Sequence, residues 1–345
     1  MGANSESTHV LVTGVTGFTG RALARELVRR GHRVRGLVRA ERSGEVTPGL
    51  EEDGVEVHAG DIRDEDAVLR AAEGVDRIYH IAAVFRTAGH TAQHYRAINV
   101  GGTANVIRAA REHRVARTVH CSTAGVHGHV SQVPAAEEAP LNPGDIYQET
   151  KLEGERVALR AFQQDVPGVV ARPTGIYGPG DLRFLKLFRP VQRRRFIMFG
   201  SGETLYHFTY IDDLVEGLLL CGEHPDAAGE TLLLSGPEYV TLNELVRTIA
   251  ETLHVAPPRL RLPYWPLHAG AAICEDVCGA VGLDPPLHRR RAEFFVKDRA
   301  FSHDKARRVL GYRPQVGLRE GVRRTAGWYV ANGYLDAPRA LTPAG

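Results

Sequence analysis

Lysine is nearly missing from this chain of 345 residues: of its 43 lysines and arginines only Lys151, Lys186, Lys297 and Lys305 are lysine. Cysteine is equally sparse. The four residues, Cys121, Cys221, Cys274 and Cys278, show no CxxC spacing. This excludes a disulfide scaffold and a thiolate metal knuckle, and predicts reduced thiols. Sixteen histidines form no HExxH or similar cluster, so no metal is expected. A net charge of +2 leaves no broad surface of one sign, and no nucleic-acid partner is expected. The short runs Arg193-Arg194-Arg195 and Arg289-Arg290-Arg291 read as solvated faces. No apolar run approaches the ~20 residues that span a bilayer, so no transmembrane segment is expected. Met1 to Thr8 is polar, without the apolar core of a signal peptide, and the expected location is cytoplasmic. Leu262 to Leu283 is mostly apolar and contains Tyr264-Trp265. It suits a membrane surface, a cap on a greasy pocket or, most simply, a buried helix.

What is present is alternation. Apolar runs of strand length (Val10–Val12, Arg33–Val38, Val55–Val57, Arg77–Ala82, Thr118–Cys121, Val169–Ala171) are separated by helical patterns at Gly20–Arg30, Glu65–Ala72 and Tyr95–His113, and by a helix carrying Tyr147. Such alternation predicts right-handed βαβ units and a parallel sheet. After Arg172 the texture changes, with Pro173, Gly175, Gly178, Pro179 and Gly180 marking a loop that leaves the sheet. A helix at Ile211–Leu220 and a strand at Thr231–Leu234 return to it. The expected fold is therefore α/β, a Rossmann-type doubly wound parallel sheet with a smaller, mostly C-terminal substrate-binding lobe. Residues 1–180 with 204–235 would form the nucleotide-binding domain, 181–203 with 236–335 the lobe, and 336–345 a tail. Ligands are expected in the crevice at the carboxyl ends of the strands.

Two motifs carry chemistry. In Thr13-Gly14-Val15-Thr16-Gly17-Phe18-Thr19-Gly20, three glycines follow a strand and open a helix. Glycine permits a tight turn and a close backbone approach, and the helix N-terminus offers unbonded N–H groups to a pyrophosphate. In Tyr147-Gln148-Glu149-Thr150-Lys151, residues four apart share one helical face. A tyrosine titrates near pH ~10 when free, and a fixed ammonium beside it stabilises the phenolate and brings it toward acid–base work near neutrality. In an arginine-rich chain, a lysine here suggests that a compact ammonium is wanted.

The glycine spacing, GxxGxxG, together with the Tyr-Lys pair resembles the short-chain dehydrogenase/reductase family, and specifically its extended branch of epimerases, dehydratases and reductases. Further stretches resemble it in order: Gly60-Asp61-Ile62, His80-Ile81-Ala82-Ala83, Asn99, the Cys121-Ser122-Thr123 segment, and Arg172-Pro173-Thr174-Gly175-Ile176-Tyr177-Gly178-Pro179-Gly180-Asp181. Phe208 to Asp213 and Lys305 to Gly321 are similar to the branch's later signatures. The resemblance implies cofactor contacts at Gly14, Thr16, Gly17, Phe18, Thr19, Gly20, Arg39, Asp61, Ile62, Ala82, Ala83, Tyr147, Lys151, Pro173 and Ile176. It implies catalysis by Thr123, Tyr147 and Lys151, with Ser122 beside Thr123 on the substrate oxygen and Asn99 steadying a helix. A homodimer is also implied.

Departures from the family pattern narrow the chemistry. Ala124-Gly125 stand where dehydratases carry an acid pair, which disfavours elimination of water. Tyr206 stands where many nucleotide-sugar enzymes carry a pyrophosphate-binding arginine, with Arg183 or the Arg193 cluster as substitutes. His127 replaces a customary tyrosine. After the second strand, Arg39 and then Arg42 take the place of the acid that NAD users set against the ribose hydroxyl, and a guanidinium suits a 2′-phosphate. The expectation is NADP(H), with NAD(H) possible, and an oxidoreductase moving hydride between the nicotinamide and a keto or secondary-hydroxyl small-molecule substrate. The alternatives are a nucleotide-sugar 4-epimerase with bound NAD and, less favoured, a non-catalytic nucleotide-binding sensor.

Overall fold

The structure, a computed structural model, describes residues 7–85, 89–280 and 289–337. Its strands are β1 (His9–Thr13), β2 (Arg33–Val38), β3 (Val55–Ala59), β4 (Arg77–His80), β5 (Arg117–Cys121), β6 (Gly168–Pro173), β7 (Gly175–Tyr177), β8 (Met198–Phe199), β9 (Leu205–Tyr210), β10 (Thr231–Leu234), β11 (Tyr239–Thr241) and β12 (Arg261–Leu262). The helices that matter below are α1 (Phe18–Arg29), α2 (Ala40–Glu52), α3 (Glu65–Ala72), α4 (Ala92–Arg96), α5 (Gly102–Glu112), α6 (Ile146–Phe162), α7 (Leu185–Gln192), α8 (Ile211–Glu223), α9 (Leu242–Thr252) and α10 (Tyr264–Ala280).

Seven strands form one parallel sheet in the order β10-β6-β5-β4-β1-β2-β3. Helices cover both faces, and β6 accordingly reads Gly-Val-Val-Ala-Arg-Pro with every residue buried. The chain winds one way from β1 through β3, then crosses back to place β4 on the other side of β1. The order reverses between β1 and β4, so a crevice opens at their carboxyl ends. The expected Rossmann-type α/β fold is thus the observed one. A second sheet, β11-β9-β7, and the short β8–β12 pair lie outside it. No apolar pattern marks these strands, which have two to six residues and find partners far along the chain.

Three local expectations need correction. The Tyr95–His113 helix is not one regular element: α4 passes through a π-helical turn, Ala97–Gly101, before α5. Helix α2 was not foreseen because Gly44, Pro48 and Gly49 read as breakers. It is pinned from outside, by Arg21 on the Gly49 carbonyl and by Arg21 and Arg25 on Asp53. The apolar segment from Leu262 is helical through Ala280, but it is not buried. Trp265 is 72% exposed, and Ile273 and Val277 also face solvent. Nor does it border the main cleft. Residues 281–283 of that segment lie outside the described residues. Among the described residues no helix is long and apolar enough to cross a membrane.

A buried ion pair holds β6 against α6. Arg172 donates to Glu155 at 3.1 Å and 2.5 Å, and both side chains are almost fully enclosed. Glu155 also accepts from the Ser122 hydroxyl at 2.5 Å. Arg172 further meets the Glu137 carbonyl and His127 Nε2, each at 3.1 Å. Burial and the adjacent guanidinium lower the His127 pKa, so the ring is neutral near pH 7. Its Nδ1 then donates to the Ala139 carbonyl at 3.0 Å. Removing one member of such a pair leaves a buried charge without compensation. Glu155→Ala is therefore expected to cost about 3–5 kcal/mol in urea unfolding. A loss below about 1 kcal/mol, the scale of an exposed pair, would show that the pair does not support this junction.

Candidate active site

The glycine turn follows β1 directly. Gly14 has φ +74°, and a Cβ there would stand 2.7 Å from the Ala82 amide nitrogen. A Cβ on Gly20 would stand 2.2 Å from the Gly14 carbonyl oxygen, so only glycine lets α1 pack this close to the turn. Helix α1 starts at Gly17 with no side-chain cap and no acid in its first turn. Its first amides are left for an external anion, the donor set a pyrophosphate needs. A dinucleotide fits this cradle.

A polar chain buried under the cleft ties that turn to the catalytic helix. The Ala82 amide donates to Thr13 Oγ1 (3.2 Å), which meets His80 Nδ1 (2.8 Å); His80 Nε2 meets Thr103 Oγ1 (2.9 Å), which donates to the Asn99 carbonyl (2.8 Å). Burial pushes His80 down to about 3, so the ring is neutral, with one nitrogen donating and one accepting. The Asn99 side chain continues the connection. It accepts from the Val84 amide at 2.8 Å and donates to Thr150 Oγ1 at 2.9 Å, within the segment that carries Tyr147 and Lys151. The π turn holds Asn99 in this chain, fully enclosed and away from the cleft wall.

Helix α6 begins at Asp145, whose carboxylate caps the Gln148 amide at 2.9 Å. Lys151 follows Tyr147 by one turn and donates to the Cys121 carbonyl at 2.7 Å, at the end of β5. Burial lowers the Lys151 pKa from its ordinary value. The Tyr147 ring meets Phe85 edge-on at 4.9 Å. Thr123 Oγ1 accepts from the Gly125 amide at 3.0 Å, leaving its own proton to donate. The Ser122 hydroxyl, one residue before, is committed to Glu155.

All the expected contact residues border one cleft of about 930 Å³, with the exception of Asn99. The glycine turn, Ala82, Ala83, Pro173 and Ile176 form its middle. Arg39, Asp61 and Ile62 form one end. There Asp61 is gripped by Arg63 through two side-chain bonds, at 2.9 and 2.7 Å, and this guanidinium holds its carboxyl below the usual range. Arg42, expected beside Arg39, shares that end, as do His90 and His94, which no sequence pattern marks.

The opposite end is aromatic, with Tyr206, Phe208, Phe294 and Phe301. Tyr206 is buried, its hydroxyl donating to the Phe294 carbonyl and its ring stacked on Phe208 at 5.5 Å. Arg299 supplies a cation here that was not anticipated. It is fixed by backbone bonds to the β9 strand, Arg299 N to the Leu205 carbonyl and His207 N to the Arg299 carbonyl. Its Nη1 meets the Tyr206 hydroxyl at 3.2 Å. Among the described residues no carboxylate lies within ion-pairing distance of it. Of the substitutes considered for the missing arginine, Arg193 to Arg195 are exposed outside the cleft, while Arg183 borders it, bound to Asp181 at 2.7 Å and lying over Phe18 and Phe85. Among the described residues no cluster suits a metal ion.

Known proteins are similar to this chain along most of its length. Residues 10–234 match the model of the NAD dependent epimerase/dehydratase family. The 2-alkyl-3-oxoalkanoate reductase of Stenotrophomonas maltophilia is 35% identical, over 91% of this chain and 97% of that protein. A 3 beta-hydroxysteroid dehydrogenase/Delta 5-->4-isomerase of Mycobacterium tuberculosis is 32% identical, over 95% of this chain and 92% of that protein. The crystal structure of gox2253 superposes with a TM-score of 0.81 at 30% identity, covering 96% of this chain and 100% of that one. The UDP-glucuronic acid 4-epimerase of Bacillus cereus, solved with NAD, has a TM-score of 0.74 at 23% identity and shares the fold. With the family model spanning most of the chain and relatives of this identity along nearly its whole length, the chain belongs to the NAD-dependent epimerase/dehydratase family.

Proposed function

We propose that this enzyme is a reductase or dehydrogenase that prefers NADP(H) and acts on a keto or secondary-hydroxyl group of a largely apolar substrate with one acidic group. The observation that carries the reading is the cleft holding Thr123, Tyr147 and Lys151, continuous with an aromatic chamber in which Arg299 has, among the described residues, no carboxylate within ion-pairing distance. Relatives above 30% identity, named as a 3-oxoalkanoate reductase and hydroxysteroid dehydrogenases, support it. The UDP-glucuronic acid 4-epimerase of Bacillus cereus resembles the chain at lower identity.

When bound, the nicotinamide supplies or accepts the hydride. The protein handles the proton. In the reducing direction the Tyr147 hydroxyl donates its proton to the substrate oxygen as negative charge develops there, while the Thr123 hydroxyl donates a second hydrogen bond to the same oxygen. The Lys151 ammonium stabilises the tyrosinate left behind and offers further N–H donors to the cofactor's ribose, its carbonyl contact at Cys121 fixing its direction. Ala124 places no acid beside Thr123, so no group is present there to eliminate water.

Tyr147→Phe is expected to lower kcat by about 10²–10⁴-fold with cofactor affinity nearly unchanged, since only the proton-transfer oxygen is lost. Lys151→Met should damage both. Steady-state kinetics and cofactor titration measure the two effects, and substantial turnover in Tyr147→Phe would remove the assignment of the proton donor.

Arg39 and Arg42 favour a 2′-phosphate, so NADPH should bind more tightly than NADH in a fluorescence titration. Tighter NADH would refute the role given to Arg39.

For the substrate end, Arg299→Leu is expected to raise KM for a 3-oxo acid by about tenfold or more with a smaller change in kcat, the loss of one charge-assisted contact. An equal effect on an uncharged ketone of the same size would show that the guanidinium does not bind the acid. Net consumption of reduced nicotinamide with carbonyl substrates distinguishes the reductase. Interconversion of a UDP-sugar with tightly held NAD and no net redox would promote the epimerase instead.

A further inference from the structure

The end of the cleft that holds Arg39 carries more positive groups than a single phosphate contact needs. Arg39 and Arg42 come from the β2–α2 junction, His90 and His94 from the entry to α4. The two imidazoles are stacked, with centroids 4.2 Å apart and planes within 23°. His94 lies within electrostatic reach of His90, Arg63, Arg39 and Asp61. The one carboxylate in that set, Asp61, is already gripped by Arg63. Of the neighbouring acids, Glu45 lies 3.6 Å from Arg42, Glu153 pairs with Arg96, and Glu41 acts on Arg63. On its other side His90 meets the ring of Tyr95, at 6.4 Å. The cations around His94 disfavour its protonation, and an anion placed between the imidazole pair and the guanidiniums reverses that preference.

We propose that His90 and His94 form the second wall of a 2′-phosphate subsite facing Arg39 and Arg42, so that affinity for 2′-phosphorylated nucleotide rises as pH falls through the imidazole range. The inference rests on the NADP(H) reading and extends it. In the free protein the His94 pKa is lowered, first by desolvation and then by the cations around it. A bound phosphate dianion raises it, so binding takes up a proton. The sign follows: affinity is gained as pH falls toward the bound-state imidazole pKa, and is lost above it. Protonation of the free phosphate, whose second pKa lies near ~6, caps the gain on the acid side.

Binding is measured without turnover. Wild-type protein is titrated with NADP+ and NAD+ by calorimetry between about pH 8 and about pH 6, the NADP+ titrations being run in two buffers of different ionisation enthalpy. NADP+ affinity is expected to increase by about fivefold across this window with net proton uptake, while NAD+ affinity changes by less than about twofold. In a His90→Gln/His94→Gln variant the NADP+ slope and the proton uptake should vanish, with NAD+ binding retained as evidence that the fold is intact. Adenosine 2′-monophosphate should reproduce the slope and adenosine 5′-monophosphate should not. A flat wild-type profile, or a slope that survives in the double variant, overturns the histidine subsite while leaving an NADP+ preference standing. NADP+ binding no tighter than NAD+ at any pH overturns both the subsite and the cofactor preference beneath it.

Discussion

A lysine ammonium enclosed at the end of a parallel sheet needs a partner, and the site is arranged around the one it has. Lys151 is 2% exposed and its Nζ donates to the Cys121 carbonyl. That carbonyl lies at the carboxyl edge of β5, where the sheet stops and the cleft begins. The contact sets the axial position of α6 against the sheet, and because Tyr147 is one turn earlier on the same face, it also sets where the phenol enters the cleft. An arginine could not take this place, since its planar fork is larger and keeps its proton. The scarcity of lysine in the rest of the chain thus has a counterpart in geometry.

Two buried polar systems keep that helix from shifting. On one side runs the chain through Thr13, His80, Thr103 and Asn99, which begins at the amide of Ala82 beside the glycine turn and ends at Thr150. On the other, Glu155 joins α6 to Arg172 on β6 and to Ser122. Every proton donor in the first chain has an acceptor, which is what allows so much polarity to be buried without large cost. It demands a neutral imidazole at position 80, and burial supplies one. The glycine turn and helix α6 are thus joined by hydrogen bonds of fixed direction as well as by apolar contact.

What could be read from the sequence follows from distance along the chain. The glycine turn and the Tyr-Lys face are local, because one turn of helix or one strand–helix junction contains all of each motif. The parallel sheet was legible for a similar reason, as fully buried strands are written as continuous apolar runs. Arg299 was not legible, since it reaches the cleft by pairing with Leu205 and His207 nearly a hundred residues earlier. The role of Ser122 was decided by Glu155, a partner thirty-three positions away that no spacing connects to it. The apolar stretch leading into α10 misled in the opposite direction: composition shows that a helix is greasy, but not whether another element covers it, and Trp265 stands in solvent.

The cleft's charges divide the labour of binding along its length. At one end Arg39, Arg42, His90 and His94 border the cleft, and the Asp61 carboxylate beside them is held by Arg63. In the middle the Lys151 ammonium, directed by the Cys121 carbonyl, lies one helical turn from Tyr147, and Arg183, held by Asp181, lies over the Phe85 ring that meets Tyr147. Beyond it, Arg299 stands among Tyr206, Phe294 and Phe301. On the proposed reading, the phosphates of a nucleotide would meet the Arg39 end, and a smaller ligand would be oriented by the aromatic side chains and Arg299.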